Sequence, residues 1–389
     1  MKCNITQTTL GELSVGRRGY YGLGAPAVPY SPSLYTYLRI TDINDDGTLN
    51  MSDLKSVSAD NASDYLLKIN DIVFARTGAS TGRNYFYDGT DGDFVFAGFL
   101  IKFSLDPSKV NPRYVKYYCQ SKEYRDWIAA FNTGSTRGNI NTKTLASMPI
   151  RLPDMETQHR IVNILDALEN KRKNNKQIND NLAELLQALY QQQFCCLNCP
   201  DNQGRLADLC DYSKAKVAVT ELSLSTYYST ENMLPGKAGA VDAASLPTTT
   251  QVIKCQIGDV LISNIRPYFK KIVYCHSNCG CSMDVICFTP KLPRLSAYLY
   301  SALYADSFFD FMVAGSKGTK MPRGDKQQIM TYAVHIPTEE EIKVFNALAI
   351  PILEQIENTH RENIRLSSLR DSLLPKLISG ELDVSELGI

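Results

Sequence analysis

No apolar run in the 389-residue sequence approaches the roughly 18 residues needed to cross a bilayer, and its start carries no signal-peptide pattern. The expectation is a cytoplasmic protein with no membrane partner. Net charge is also missing: 41 Lys and Arg balance 41 Asp and Glu. A nucleic-acid partner gets no global electrostatic support, so any basic face must be local. Catalytic signatures are absent as well. No Gly-rich dinucleotide fingerprint follows a strand, and "GASTGR" (78–83) is too short for a phosphate-cradling loop and lacks its Lys-Ser/Thr pair. There is no Gly-x-Ser-x-Gly elbow and no His-Glu-x-x-His helix. Of the four histidines, His159 and His360 fall on long polar helices and are expected in solvent, and His335 fits an apolar strand. No general base has a plausible partner, so no catalytic residue, cofactor site or enzyme activity is expected.

Cysteine is present, at 11 residues, but an odd count without an export signal argues for reduced thiols rather than a disulfide framework. "FCCLNC" holds Cys195, Cys196 and Cys199; "CHSNCGC" holds Cys275, His276, Cys279 and Cys281. The second cluster offers four soft ligands, yet zinc sites usually present two separated pairs. Ordinary thiols in a strand and turn are expected there, with metal binding as the alternative.

What the sequence does contain is itself, twice. "FNTGSTRGNINTKTLASMPIRLPDMETQHRIVNIL" passes from a polar loop through a short apolar stretch into an amphipathic helix. "VAGSKGTKMPRGDKQQIMTYAVHIPTEEEIKVFNALAIPIL" repeats the sequence of events: Gly315 answers Gly134, Pro337 answers Pro153, and Glu340 answers Glu156. "LKINDIVFARTGASTG" pairs with "CQIGDVLISNIRPYFK", and "YLRITDI" with "YYSTENM". The separations are roughly 180–195 residues, far too long for a solenoid. The chain is a duplicated domain-plus-helix unit.

Four segments follow. Residues 1–155 and 198–338 read as mixed α+β domains, with "DIVFAR" and "FVFAGFLIKFSL" as strands and "PRYVKYYCQSKEYRDWIAAF" as helix, Val115, Tyr118, Trp127 and Ile128 buried. The spans 156–197 and 339–389 hold long helices. One heptad seam through the first gives Ile164, Leu168, Lys171, Asn175, Ile178, Leu182, Leu185 and Leu189. Its counterpart is Leu348, Ile352, Gln355, Thr359, Glu362, Leu366, Leu369 and Leu373. Both are apolar at the ends and polar at the centre, so each helix needs a partner. The seam permits parallel or antiparallel pairing. The duplication favours an antiparallel coiled coil with a domain at either end; two helices covering a common core is the simpler alternative. A helix of about 36 residues is roughly 54 Å long, somewhat more than a turn of DNA at about 34–36 Å.

The polar loops are the remaining candidates. "GSTRGNINTK" supplies Ser135, Thr136, Arg137, Asn139, Asn141 and Lys143; "GSKGTKMPRGDKQQ" supplies Lys317, Thr319, Lys320, Arg323, Lys326 and Gln327. "SNIRPYFKK" adds Asn264, Arg266, Lys270 and Lys271, opposite "ARTGASTGR" with Arg76, Thr77 and Arg83. Arg reads guanine edges, Asn and Gln read adenine, and Lys, Ser and Thr hold phosphates. A solvated loop with ordinary charges is the competing reading, weakened by its occurring twice.

The order domain, helix, domain, helix resembles the specificity subunit of type I restriction–modification systems. So do "INDIVFARTGASTG", "NTGSTRGNINTKTLASMPIRLPDMETQHRIVNILD" and "LRDSLLPKLISGEL", and the similarity spans the chain. The resemblance implies two target-recognition domains in pseudo-twofold repeat, each reading half of a bipartite, asymmetric sequence in double-stranded DNA. It implies helices that form an antiparallel spacer and dock two methyltransferase (modification) subunits, which motor-nuclease (restriction) subunits join. S-adenosylmethionine, ATP and magnesium would belong to those partners. The second copy departs from the first where "SNIRPYFKK" replaces "ARTGASTG", which implies different half-sites. A scaffold without DNA binding is the alternative.

Overall fold

The computed structural model describes residues 5–131, 139–195 and 203–384. They form two compact units: Met1–Lys171 with Leu366–Ile389, and Arg172–Arg365.

In the first unit an antiparallel sheet is ordered Tyr20–Tyr21, Leu100–Ser104, Asp71–Ala75, Asn84–Tyr87. Asp71–Ala75 is buried at every position. Side chains alternate between the two faces of a strand, so Ile72 and Phe74 enter one core while Val73 and Ala75 enter another. That two-sided burial explains why "DIVFA" reads as a continuous apolar run. A second sheet is ordered Ala27–Pro29, Lys55–Val57, Tyr35–Leu38, Phe94–Phe96, its last pair parallel. The expected single helix over 112–131 is two, Pro112–Tyr118 and Lys122–Ala130. Ser121 divides them, its hydroxyl capping the Tyr124 amide at 3.3 Å. Val115, Tyr118 and Ile128 are buried, and Trp127 packs against the same core.

The second unit repeats the plan. Its antiparallel sheet is ordered Cys210–Tyr212, Val285–Pro290, Val260–Ser263, Ile272–Tyr274, beside helices Ser296–Tyr304 and Asp306–Ala314. Ladder registers make the copies comparable residue by residue. Asp71 bonds across to Tyr87 and Ser104 in the first; Asp259 faces Cys275 in the second, and Leu261 faces Cys287 where Val73 faces Lys102. The same registers align Leu67, Phe94 and Phe96 with Cys255, Cys279 and Cys281. One core of the first unit is therefore built from Leu67, Tyr87, Phe94 and Phe96, and its counterpart from cysteines. The five second-unit thiols at 255, 275, 279, 281 and 287 are free and buried, with Cys275 and Cys279 Sγ 3.5 Å apart. Among the described residues no group of His, Cys, Asp or Glu is arranged to hold a metal ion. Of "CHSNCGC", Cys275, Cys279 and Cys281 pack in this core; Cys196 and Cys199 lie outside the described residues.

The long helices are Met155–Phe194 and Glu339–Ser379. Asp154 caps the first through the Thr157 amide at 2.8 Å. Thr338 and Glu341 cap the second reciprocally, at 2.7 Å and 3.3 Å. They pack together antiparallel. In the first unit Ile161 and Leu165 share a core with Leu374, Leu377 and Ile378. In the second, Asn175 reaches Glu362 and Asn363, Asn179 reaches the Ile356 carbonyl, and Gln193 reaches the Glu341 carbonyl, so numbers descend on one helix as they rise on the other.

The heptad seam holds at its polar centre, where Asn175 and Thr359 are buried at 1% and 5% exposure, and at Ile164, Leu373, Leu189 and Ile352, which pack against the cores. At other positions it is displaced. Ile178, Leu185, Leu348 and Leu369 are 42–52% exposed, and Leu186, Tyr190, Ile342, Phe345, Ala349 and Leu353 are buried instead. Each helix packs against a globular domain as well as its partner. The buried stripe therefore widens and turns toward the domain, away from the narrow line that two helices alone require.

Candidate nucleic-acid interface

The central strand of each sheet runs out into one of the candidate loops, and backbone bonds tie that loop to the polar segment preceding a long helix. In the first unit Thr77 bridges Asn139, and the Ile140 amide donates to the Arg76 carbonyl at 2.9 Å. In the second, Ile265 bridges Arg323, and the Gly324 amide donates to the Asn264 carbonyl at 3.3 Å. Segments far apart in sequence are thus joined the same way twice.

The loops also share a backbone course. Strand register matches Gly78 and Gly82 with Arg266 and Lys270. The internal bonds agree: Thr81 donates to the Gly78 carbonyl at 3.1 Å, and Phe269 to the Arg266 carbonyl at 2.9 Å. All four positions have positive φ, +73° and +90° at the glycines and +51° at both cations. Glycine takes this conformation freely; a residue with a Cβ does so at a steric cost.

Side chains separate the candidates. Arg76 lies 4.9 Å from the Tyr21 ring centroid and donates to Asn139 Oδ1 at 3.4 Å, which holds its guanidinium beside the bridge. Thr77 is half-buried next to it, and Asn139 and Lys143 are exposed. Arg83 is committed elsewhere, to both Asp45 carboxylate oxygens at 2.7 and 3.3 Å and to the Ile43 carbonyl. Ser135, Thr136 and Arg137 lie outside the described residues.

In the second unit Lys320 is exposed and Arg266 half-buried, and neither has an ion pair among the described residues. Lys317 pairs with Asp325 at 2.5 Å and Arg323 with Asp284 at 2.9 Å. Lys270 shares Asp306 with Lys237, at 2.7 and 2.8 Å. Those two ammonium groups hold the Asp306 carboxyl down at about 2. Asn264 is 9% exposed, and its Oδ1 has no hydrogen-bond partner among the described residues. Sequence reasoning passed over the aromatics beside these cations: Tyr21 under Arg76, and Tyr268 and Phe269, which are 50% and 39% exposed. The "PYF" inside the basic loop was the available signal.

The histidines carry none of this. His159 is exposed and bonds the Met155 carbonyl at 2.7 Å. His335 is held in the core between Phe194 and Glu341. His360, expected in solvent, instead bonds the Ala240 carbonyl at 2.7 Å. No described helix is long and apolar enough to cross a membrane.

Fold and loops together define a class: duplicated α/β modules joined through long antiparallel helices, each module presenting one tied pair of polar loops. Comparison with known proteins places the chain among proteins similar to the specificity (S) subunits of type I restriction–modification systems. Residues 30–184 match the family described as "Type I restriction modification DNA specificity domain". The type I restriction enzyme HindI specificity subunit of Haemophilus influenzae is 28% identical over 131 residues, which are 33% of this chain and 28% of that one. The MjaIX specificity subunit of Methanocaldococcus jannaschii is 23% identical over 332 residues, 70% of each chain. The crystal structure of a type I S subunit from M. genitalium shares the fold, with a TM-score of 0.60 over 96% of both chains at 16% identity.

Proposed function

We propose that the chain is the DNA-binding specificity subunit of a type I restriction–modification complex. In this reading, residues 1–155 and 198–338 are target-recognition domains, each reading half of a bipartite, asymmetric target. The helical segments 156–197 and 339–389 set the spacer between half-sites and dock two methyltransferase subunits, with motor-nuclease subunits joining through them. The chain itself performs no chemistry; S-adenosylmethionine, ATP and magnesium act on the partners, in the cytoplasm. The observation that supports this most is the loop pair tied identically in both units but dressed with different side chains. One scaffold used twice with different chemistry suits two different half-sites.

The test assembles the chain with its modification subunits and maps methylation across a genome. Arg76→Ala and Lys143→Ala are expected to alter recognition of one half-site only, and Arg266→Ala and Lys320→Ala the other. A base-reading Arg relaxes one position at about 1–3 kcal/mol, whereas a lost phosphate contact weakens all sequences evenly and lowers the salt slope by about 1. Unchanged targets and salt dependence in all four variants would leave the scaffold reading standing. The chain purified alone, given labelled S-adenosylmethionine and mixed-sequence DNA, should transfer no label; transfer that survives repurification overturns the assignment.

A further inference from the structure

The loop at 264–271 keeps two features its fold does not require. Arg266 and Lys270 occupy the left-handed region although the first copy takes the same course with glycines. Between them, Tyr268 and Phe269 stay exposed as a ring pair with centroids 4.7 Å apart, where the first copy has Ser80 and Thr81. Neither feature helps the free protein, since one is steric strain and the other is apolar surface in water.

The loop is nonetheless held firmly. The Gly236 amide donates to the Phe269 carbonyl at 2.8 Å, the Lys237 amide to the Lys270 carbonyl at 2.9 Å, and Lys270 Nζ to Asp306 at 2.7 Å. The Arg266 amide donates to the Pro322 carbonyl at 2.8 Å, tying the loop to the polar segment that carries Lys320. Three neighbouring cations, Lys270, Lys317 and Arg323, are already paired with carboxylates. What this corner of the unit offers a ligand is therefore two aromatic faces next to Arg266 in sequence, with Lys320 exposed on the segment tied to the loop.

From this arrangement, and resting on the DNA-binding reading above, we infer that Tyr268, backed by Phe269, is an aromatic wedge that packs against a base step of the DNA duplex in the second half-site. A flat ring on a braced loop can lie on an unstacked base face, and the two cations hold the adjoining phosphates. Ser80 and Thr81 cannot do this, so the corresponding loop of the first unit carries no wedge.

The experiment uses the complete complex with its modification subunits and a duplex carrying its own methylation target, with 2-aminopurine placed at successive positions of the second half-site. The parent complex should brighten the probe at one step, because unstacking relieves its quenching. Tyr268→Ser should abolish that signal and weaken specific binding roughly tenfold to a hundredfold. Its salt slope should not change, since a ring neutralises no phosphate. Tyr268→Phe should retain both signal and affinity. Parental affinity and fluorescence in Tyr268→Ser would overturn the wedge while leaving DNA reading intact. A parent complex that binds its target no better than random duplex would overturn the DNA reading itself. Loss of modification subunits from Tyr268→Ser would place the ring at a protein interface and also overturn the proposal.

Discussion

Replacing Asp71 by Ala should lower the urea midpoint of the first unit by about 1–2 M, equivalent to about 3–5 kcal/mol. Asp71 is 1% exposed; Lys102 Nζ lies 3.0 Å from one carboxylate oxygen, and Ser104 Oγ donates to the other at 2.5 Å. The Lys68 amide adds a third bond at 2.8 Å. Removing the carboxylate strands a largely buried ammonium, whose side chain is 14% exposed, together with two donors. The loss is a large share of the roughly 5–15 kcal/mol that holds a typical domain folded. The chain's single tryptophan, Trp127, packs against the first unit's core, so its fluorescence reports this unit. Asp71→Ala combined with Lys102→Met should recover most of the loss, because the stranded charge leaves with its partner. An unchanged midpoint in the single variant would show that the pair does not hold the unit.

The second copy reverses the expectation. Asp259 takes the place of Asp71, but Cys287 stands where Lys102 would be, 3.2 Å from Asp259 Oδ2. Burial pushes the Asp259 carboxyl above its ordinary 3.8. A carboxyl raised on folding binds its proton more tightly in the folded state, so stability is greatest below the unfolded value and falls as pH rises through the folded one. Asp259→Asn removes that penalty. At neutral pH it should match or exceed the parent in protecting the second-unit thiols from 4,4′-dithiodipyridine, a disulfide probe that also reacts in acid, and its advantage should vanish near pH 4. A variant less protected than its parent at pH 7 would show that the ionised carboxylate is needed.

These paired positions show where the sequence is legible. Asp71-Ile72-Val73 and Asp259-Val260-Leu261 announce themselves as equivalents because polar anchors and strand runs survive divergence. The glycine-to-cation matches at 78/266 and 82/270 follow from the same alignment, yet positive φ at Arg266 and Lys270 is invisible without the backbone. Phe94 and Cys279 are harder to align, since the intervening turns differ in length. The ion pairs that engage Arg83, Lys270 and Arg323 also escaped, because Asp45, Asp306 and Asp284 lie 38, 36 and 39 residues away. Local composition shows that a loop is cationic; only the tertiary structure shows which cations are already neutralised. The displaced positions of the heptad seam have a related cause. A seam read from one helix assumes one partner, and each helix here has two.

Phe94→Cys, which gives the first unit what the second already has at that position, should cost about 3 kcal/mol. Phe94 is 2% exposed and meets Tyr85 and Tyr87 edge to face, at 6.2 and 6.5 Å between centroids. Its removal leaves a cavity lined by rings that cannot shorten. In the second unit the same position is Cys279, and Cys275, Cys281 and Cys255 stand where Tyr87, Phe96 and Leu67 would be. There the walls draw in together, so a small side chain leaves no comparable void. The converse, Cys279→Phe, should also destabilise, by about 1–3 kcal/mol or more, since a ring must force its way between close-packed thiols. Trp127 fluorescence reads the first variant and thiol protection the second. If the cores were loosely filled, both exchanges would be tolerated. Two losses of opposite origin would instead show that the copies reached one topology through separately closed packings, with many positions changing in concert. Such independence lets one unit be rebuilt while the other keeps its own core.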